Sequence, residues 1–207
     1  MLEPQPTVFV IDDDASMRRA LSYLLAAAGY KVETYPSAKA FLTRENYEGV
    51  GCILLDVRMP GLSGMELQEK LIRSAQSLPI IFLTGHGEVA MGVQAIKKGA
   101  VDFLTKPCDD EQLLAAIRTA IEKALQARAH FEEAKEIRNR IELLTPREKD
   151  ILRYVIAGML NKQIAFKLDI AEKTIKVHRG HIMEKLGVDS VADLVRFADK
   201  AAIKPSE

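Results

Sequence analysis

The first 107 residues alternate between short apolar runs and segments of helical spacing, and this alternation limits the fold more than any other feature. Val8–Ile11, Lys31–Tyr35, Cys52–Leu55, Pro79–Leu83 and Val101–Leu104 read as strands. Between the first two, Ser16–Ala28 sets Met17, Leu21, Leu24 and Leu25 at helical intervals and stops at Gly29. Ala38–Leu42, Met65–Ile72 after Gly64, and Val89–Lys98 before Gly99 supply the other helices. Strands that alternate with helices predict a parallel sheet covered on both faces, hence an α/β domain.

After Pro107 the character changes. From Asp109 to Leu143 there is neither Pro nor Gly. Leu114, Ile117, Ile121 and Leu125 form an apolar stripe that should dock the start of this helix on the sheet. From Gln126 to Glu136 only Phe131 is bulky and apolar, so the segment suits a solvated helical linker better than a core. A dimeric coiled coil is the alternative, but the a/d pattern is broken. The expected division is a first domain over 1–125, a linker over 126–143 and a second domain over 144–207. The last begins with Thr145-Pro146-Arg147-Glu148, a capping box with Pro at N1. Its helix ends near Gly158. Asn161 is placed to cap a short helix through Leu168, and a turn at Asp169–Ala171 leads into Glu172–Leu186, closed by Gly187. Ser190–Asp193 opens a fourth helix, which makes this region a small all-α domain.

Composition sets outer bounds. The chain has 207 residues, enough for two modest cores. No apolar run approaches a membrane span, and no secretory signal is evident at the N-terminus. Cys52 and Cys108 lack metal-ligand spacing and suit free thiols in a reducing cytoplasm, Cys52 as a small hydrophobe in its strand. Lys+Arg and Asp+Glu balance at 29 each, yet Thr145–Glu207 holds 12 basic and 9 acidic residues. The excess is mild. It gains meaning because Lys162, Lys167, Lys173, Lys176, Arg179 and Lys185 crowd one short region.

Polar groups sit where the strands end. The first strand runs into Asp12-Asp13-Asp14, the third into Asp56 and the fourth into Thr84, and the fifth is followed by Lys106-Pro107. Functional groups of an open parallel sheet collect at its carboxyl edge. If the order is doubly wound, these residues converge. Converging carboxylates need a counter-charge, and an oxygen-rich site suits Mg²⁺ or another divalent cation such as Mn²⁺. Asp13 and Asp56 would be ligands, with Asp12 acting through water or as a further carboxylate. An ionised Asp56 can attack a phosphoryl group, with Thr84 and Lys106 binding its oxygens. A haloacid-dehalogenase-like phosphatase also uses an Asp after a strand, but it needs a second Asp where this chain has Arg58.

The motifs IDDD, LLDVRMPGLSG, LTGHG and DFLTKP occur in the order found in receiver domains of two-component response regulators, and residues 7–125 resemble that CheY-like family throughout. The resemblance implies strand order 2-1-3-4-5, Asp56 as phosphoacceptor, a sensor histidine kinase as donor, and Mg²⁺. It makes Asp12 and Asp13 the acidic pair, the Arg58 carbonyl the third protein ligand, and Lys106–Pro107 a cis peptide. Phe103 falls at the family's switch aromatic and is expected to turn inward as Thr84 moves. Arg58 and His86, two residues beyond Asp56 and Thr84, flank the path of an attacking water and are expected to tune dephosphorylation. Catalysis beyond the receiver's own phosphorylation and dephosphorylation is not expected.

NKQIAFKLDIAEKTIKVHRGHIMEKL reads as two helices about a short turn, with Ile164, Ala165, Leu168, Ile175, Ile182, Met183 and Leu186 as a shared core. Basic residues near the start of the second helix sit where helix-turn-helix proteins touch DNA. The whole of LTPREKDILRYVIAGMLNKQIAFKLDIAEKTIKVHRGHIMEKLGVDSVADLVRFA resembles a LuxR/NarL-type DNA-binding domain. That makes Lys176, Val177 and Arg179 candidates for groove contacts and Asn161, Lys162 and Lys173 candidates for phosphate contacts. Gly180 and His181 depart from the residues commoner in that family. Together the parts resemble the FixJ subgroup. The implied function is a phosphorylation-controlled transcription regulator, an activator that dimerises through its receiver and meets promoter DNA and RNA polymerase. A phosphorylation-independent DNA binder with a structural receiver is the competing expectation.

Overall fold

The computed structural model describes residues 5–45, 47, 49–73, 78–85 and 89–206. The chain divides into two compact units, Met1–Arg128 and Ala129–Glu207. The first unit is a five-stranded parallel sheet in the order β2-β1-β3-β4-β5, with β1 Thr7–Ile11, β2 Lys31–Tyr35, β3 Gly51–Leu55, β4 Ile80–Thr84 and β5 Asp102–Thr105. Among the described residues four helices intervene: α1 Ala15–Ala27, α2 Ala38–Leu42, α3 Gly64–Arg73 and α4 Val89–Lys97. α5, Asp110–Glu142, starts in this unit and runs into the next.

The continuous apolar strands follow from burial on both faces. Along β1, Val8 and Val10 enter the core under α1 and α5, while Phe9 and Ile11 enter the one under α2, α3 and α4. β3 repeats this with Cys52 and Leu54 against Ile53 and Leu55. Cys52 is fully buried and its thiol pKa is pushed up to about 12 by that burial, so it packs as an inert hydrophobe. β2, at the edge, holds only exposed and half-buried residues.

α5 docks through Leu113, Ala116, Ile117, Ala120, Ile121 and Ala124. Leu125, expected in this stripe, is instead 46% exposed. The alanines bring the helix close to the sheet, and the buried face is centred one residue earlier than the large side chains alone suggest.

In the second unit, α6 Pro146–Ile156, α7 Asn161–Leu168, α8 Glu172–Leu186 and α9 Val191–Lys200 enclose one core that includes Ile151, Leu152, Ile164, Ile175, Ile182 and Leu186. The capping box forms as expected: Thr145 Oγ1 accepts from the Glu148 amide, and Glu148 Oε2 accepts from the Thr145 amide at 2.8 Å. Asn161 does not cap α7. Leu160 holds that position, and Gln163 Oε1 accepts its amide at 2.8 Å. A Gln at the third helical position can reach back to the cap, which frees the Asn161 side chain. The turn between α7 and α8 closes on Asp169, whose φ of 48° is left-handed. The end of α5 is fastened to this unit by Arg140 Nη1, which donates to the Leu186 carbonyl at 3.1 Å.

Candidate functional site: an acidic pocket and a helix-turn-helix

Parallel pairing in register carries β1, β3 and β4 to a common carboxyl edge, with Ile11 beside Leu55 and Leu55 beside Phe82. The residues that follow therefore meet. One carboxylate oxygen from each of Asp12, Asp13 and Asp56 lies within 4.8 Å of the others. Asp12 and Asp56 are buried and Asp13 is exposed. Lys106 joins them from the end of β5, where its amide donates to the Thr84 carbonyl at 2.8 Å. Its ammonium donates to Asp12 Oδ2 at 2.6 Å and lies 3.8 Å from Asp56 Oδ1. The Lys106–Pro107 bond is cis, as the sequence led us to expect.

The loop after Asp56 is packed onto it. The Asp56 amide donates to the Ile11 carbonyl at 2.8 Å, and the Gly64 amide donates to the Val57 carbonyl at 2.9 Å. A Cβ at Gly64 would collide with the Asp56 carbonyl oxygen. Glycine is required there for close approach rather than for an unusual backbone angle. An open groove lined by Asp13, Arg58, Met59, Met65 and Met91 leads to the carboxylates.

Burial raises the Asp56 carboxyl above its ordinary pKa; the Lys106 charge pulls it down, Asp12 pushes it up, and hydrogen bonds from the Val57 amide and the Thr84 side chain pull it down. The net upward shift means that the ionised carboxylate is under-compensated. Three clustered acids against one lysine are a donor set suited to a hard divalent cation, so the residues fit the Mg²⁺ that the acidic pocket calls for. Phe103 is half-buried. It lies 5.9 Å from the Phe82 ring, centroid to centroid, and faces Gly92, where a Cβ would come within 3.2 Å of the ring. His86 lies outside the described residues.

Asp14 acquires a role that the sequence reading left open. Its Oδ1 accepts from the Ser16 and Met17 amides and caps α1. The signal was available: an Asp directly before a helical pattern is a common N-cap.

In the second unit, α7, the Asp169 turn and α8 form a helix-turn-helix. Lys162, Lys173, Lys176 and Val177 are exposed. Arg179 and Asn161 are half-buried and joined, with Arg179 Nη1 donating to Asn161 Oδ1 at 2.6 Å. The sequence placed these two in separate roles; the fold makes them one pair.

Two family models match the chain: the response regulator receiver domain over residues 8–118, and the luxR family of bacterial regulatory proteins over residues 142–198. The chain belongs to the response regulators, with a receiver followed by a LuxR-type DNA-binding domain. Within them it is similar to the FixJ group. It is 43% identical to the transcriptional regulatory protein FixJ of Bradyrhizobium diazoefficiens, over 95% of this chain and 96% of that one. It is 44% identical to the response regulator protein TmoT of Ectopseudomonas mendocina, over 97% and 91% respectively. Among solved structures, the response regulator StyR matches with a TM-score of 0.88 at 46% identity, over 95% of this chain and 100% of that one. Full-length FixJ from B. japonicum matches with a TM-score of 0.56 at 43% identity, over 95% and 97%. The chain is therefore a two-component transcription regulator. Among the described residues, no helix is long and apolar enough to cross a membrane.

Proposed function

We propose that Asp56 accepts a phosphoryl group from a sensor histidine kinase and that its phosphorylation controls DNA binding by the second unit, with activation of transcription as the outcome. The observation that carries this reading is the meeting of Asp12, Asp13, Asp56 and the Lys106 ammonium at the ends of three strands. An Asp56 carboxylate oxygen attacks phosphorus, the bond from phosphorus to the donor imidazole breaks, and an acyl phosphate remains. Asp12, Asp13, Asp56 and the Arg58 carbonyl would hold Mg²⁺, or Mn²⁺, which when bound neutralises charge on the transferring phosphoryl. Lys106 and Thr84 bind the oxygens of the product. Water attack on the acyl phosphate reverses the state, and Arg58 and His86 tune that rate from beside its path.

The phosphoryl carries about −2 charge, which draws Lys106 away from Asp12 and Thr84 towards the new group. Phe103 then turns into the space Thr84 leaves. The face around α4, β5 and the start of α5 changes with it, and two receivers pair through that face. On DNA, Lys176, Val177 and Arg179 meet the major groove, while Asn161, Lys162 and Lys173 meet phosphates. RNA polymerase is the further partner of an activator. In this reading residues 1–125 are the receiver, 126–143 a linker and 144–207 the DNA-binding domain.

Acetyl phosphate with Mg²⁺ tests the proposal. Intact-mass measurement should detect one phosphoryl on the wild type and none on Asp56→Ala. Promoter fragments recovered by immunoprecipitation should bind the phosphorylated form more tightly, with affinity falling as salt rises. Equal affinity with and without the phosphoryl donor would favour a receiver that is only structural.

A further inference from the structure

A second cluster of metal-ligating groups lies far along the chain from the acidic pocket, within the second unit. Glu148 of α6 and His178 and His181 of α8 each offer one ligand atom, and the three atoms lie within 4.8 Å of one another. His178 and His181 are three residues apart, so both rings rise from one face of α8.

The hydrogen bonding singles out this group. Glu148 is 3% exposed, and its described hydrogen bonds all fall on Oε2: from the Thr145 amide at 2.8 Å, the Thr145 hydroxyl at 3.1 Å and Lys185 Nζ at 2.7 Å. Oε1 instead faces His181 Nδ1 at 4.0 Å. His178 Nδ1 is buried and has no hydrogen-bond partner among the described residues. A buried ring nitrogen without a partner is costly, and a cation bound beside it changes that balance.

We propose that Glu148, His178 and His181 form a site for a divalent transition-metal cation of the zinc type, which ties α8 to α6. Two imidazoles and one carboxylate oxygen are borderline donors. They favour Zn²⁺ over Mg²⁺, which takes oxygen ligands. Ligands on one tetrahedral ion at about 2.0–2.1 Å stand about 3.3–3.4 Å apart, so the three atoms close on an ion by movements of under about 1 Å each. His181 has the freedom to make such a movement, since its side chain is 55% exposed. A fourth position is left to water. Lys185 opposes the ion through its charge, but its side chain is one-third exposed and can swing out from Oε2. The ion would fix the middle of α8 without touching Lys173 or Lys176. The proposal does not depend on phosphorylation or on DNA binding.

Calorimetric titration of full-length protein with Zn²⁺, in excess Mg²⁺ to fill the oxygen pocket of the first unit, tests it. Cobalt ion supplies a visible absorption spectrum for the same site. The wild type should take up one equivalent of Zn²⁺, and bound cobalt should give the intense bands of a four-coordinate site with nitrogen ligands. His181→Asn and His178→Gln should each weaken uptake by at least about tenfold. Asp56→Asn should leave it unchanged. His181→Asn alters an exposed side chain, so its metal-free melting temperature should match the wild type and show that the fold is intact. Zinc uptake that persists unchanged in His181→Asn, or that disappears in Asp56→Asn, overturns the site.

Discussion

Each unit buries a carboxylate next to a lysine, and the two carboxylates are treated in opposite ways. In the helical unit, Glu148 is held through Oε2, which accepts from the Thr145 amide, the Thr145 hydroxyl and Lys185. Burial raises its pKa, but Lys185 and the Thr145 amide and hydroxyl outweigh burial, and the net shift is downward. In the sheet unit, Asp56 also has a lysine nearby, but Lys106 sits at 2.6 Å from Asp12 and only 3.8 Å from Asp56, and burial prevails. The same functional group is a hydrogen-bonded fixture in one place and an under-compensated carboxylate in the other. The difference comes from where the donors point, not from the presence of a cation.

The largest way to break this contrast is to remove the fixture. Glu148→Leu strands Lys185 and opens the α6 cap, and it should cost the second unit about 2–3 kcal/mol in denaturant unfolding. That lies below the loss for a fully buried pair because Lys185 can reach water. Second in size is Lys106→Met, which leaves Asp12 and Asp56 without their shared cation. It should lower the metal-free stability of the first unit by about 1–2 kcal/mol, and Mg²⁺ should restore more stability to this variant than to the wild type. Thermal melts with and without the ion would measure both terms.

Acidity sharpens the comparison further. The Glu148 pKa is lowered by folding, so its contribution is complete above the ordinary carboxyl range and is lost as pH falls through the lowered value. The Asp56 pKa is raised, so its contribution is complete below the ordinary carboxyl range and is lost as pH rises through the raised value. Mild acidification from neutrality should therefore steady the first unit before it weakens the second. The smallest expected effect is a modest rise in the metal-free melting temperature of Asp56→Asn at neutral pH. That variant should also lose the acid-induced gain of the first unit. A lower melting temperature would mean that the ionised Asp56 is better compensated than its surroundings indicate.

Much of this was legible in the sequence, for identifiable reasons. β1, β3 and β4 are buried on both faces, and only unbroken apolar runs satisfy that. Asp12, Asp56, Thr84 and Lys106 could be placed because strand ends in a parallel sheet share one edge. Reading bulk as burial failed on α5, where Ala116, Ala120 and Ala124 do the docking and Leu125 faces out. Asn161 was misplaced as a cap because Gln163 can do that work from inside the helix. The choice of Lys106 for Asp12 depends on side-chain geometry across 94 positions of chain, which no local pattern encodes. Glu148 was recognised as part of a capping box, but its approach to Lys185 and His181 required α6 and α8 to be folded together.

The loop after β3 limits how this protein can vary. At Gly64 the space beyond the α-carbon is already filled by the oxygen of Asp56's own peptide. Any side chain there would push against the backbone that carries the Asp56 carboxylate. Gly61, in the same loop, has a left-handed φ of 83° and nothing within 4 Å of the place a Cβ would take. A library randomised at both codons should therefore separate two kinds of intolerance. Survivors at 61 would be sorted by backbone strain, with Asn and Asp enriched. Survivors at 64 would be sorted by volume, with few or none beyond glycine.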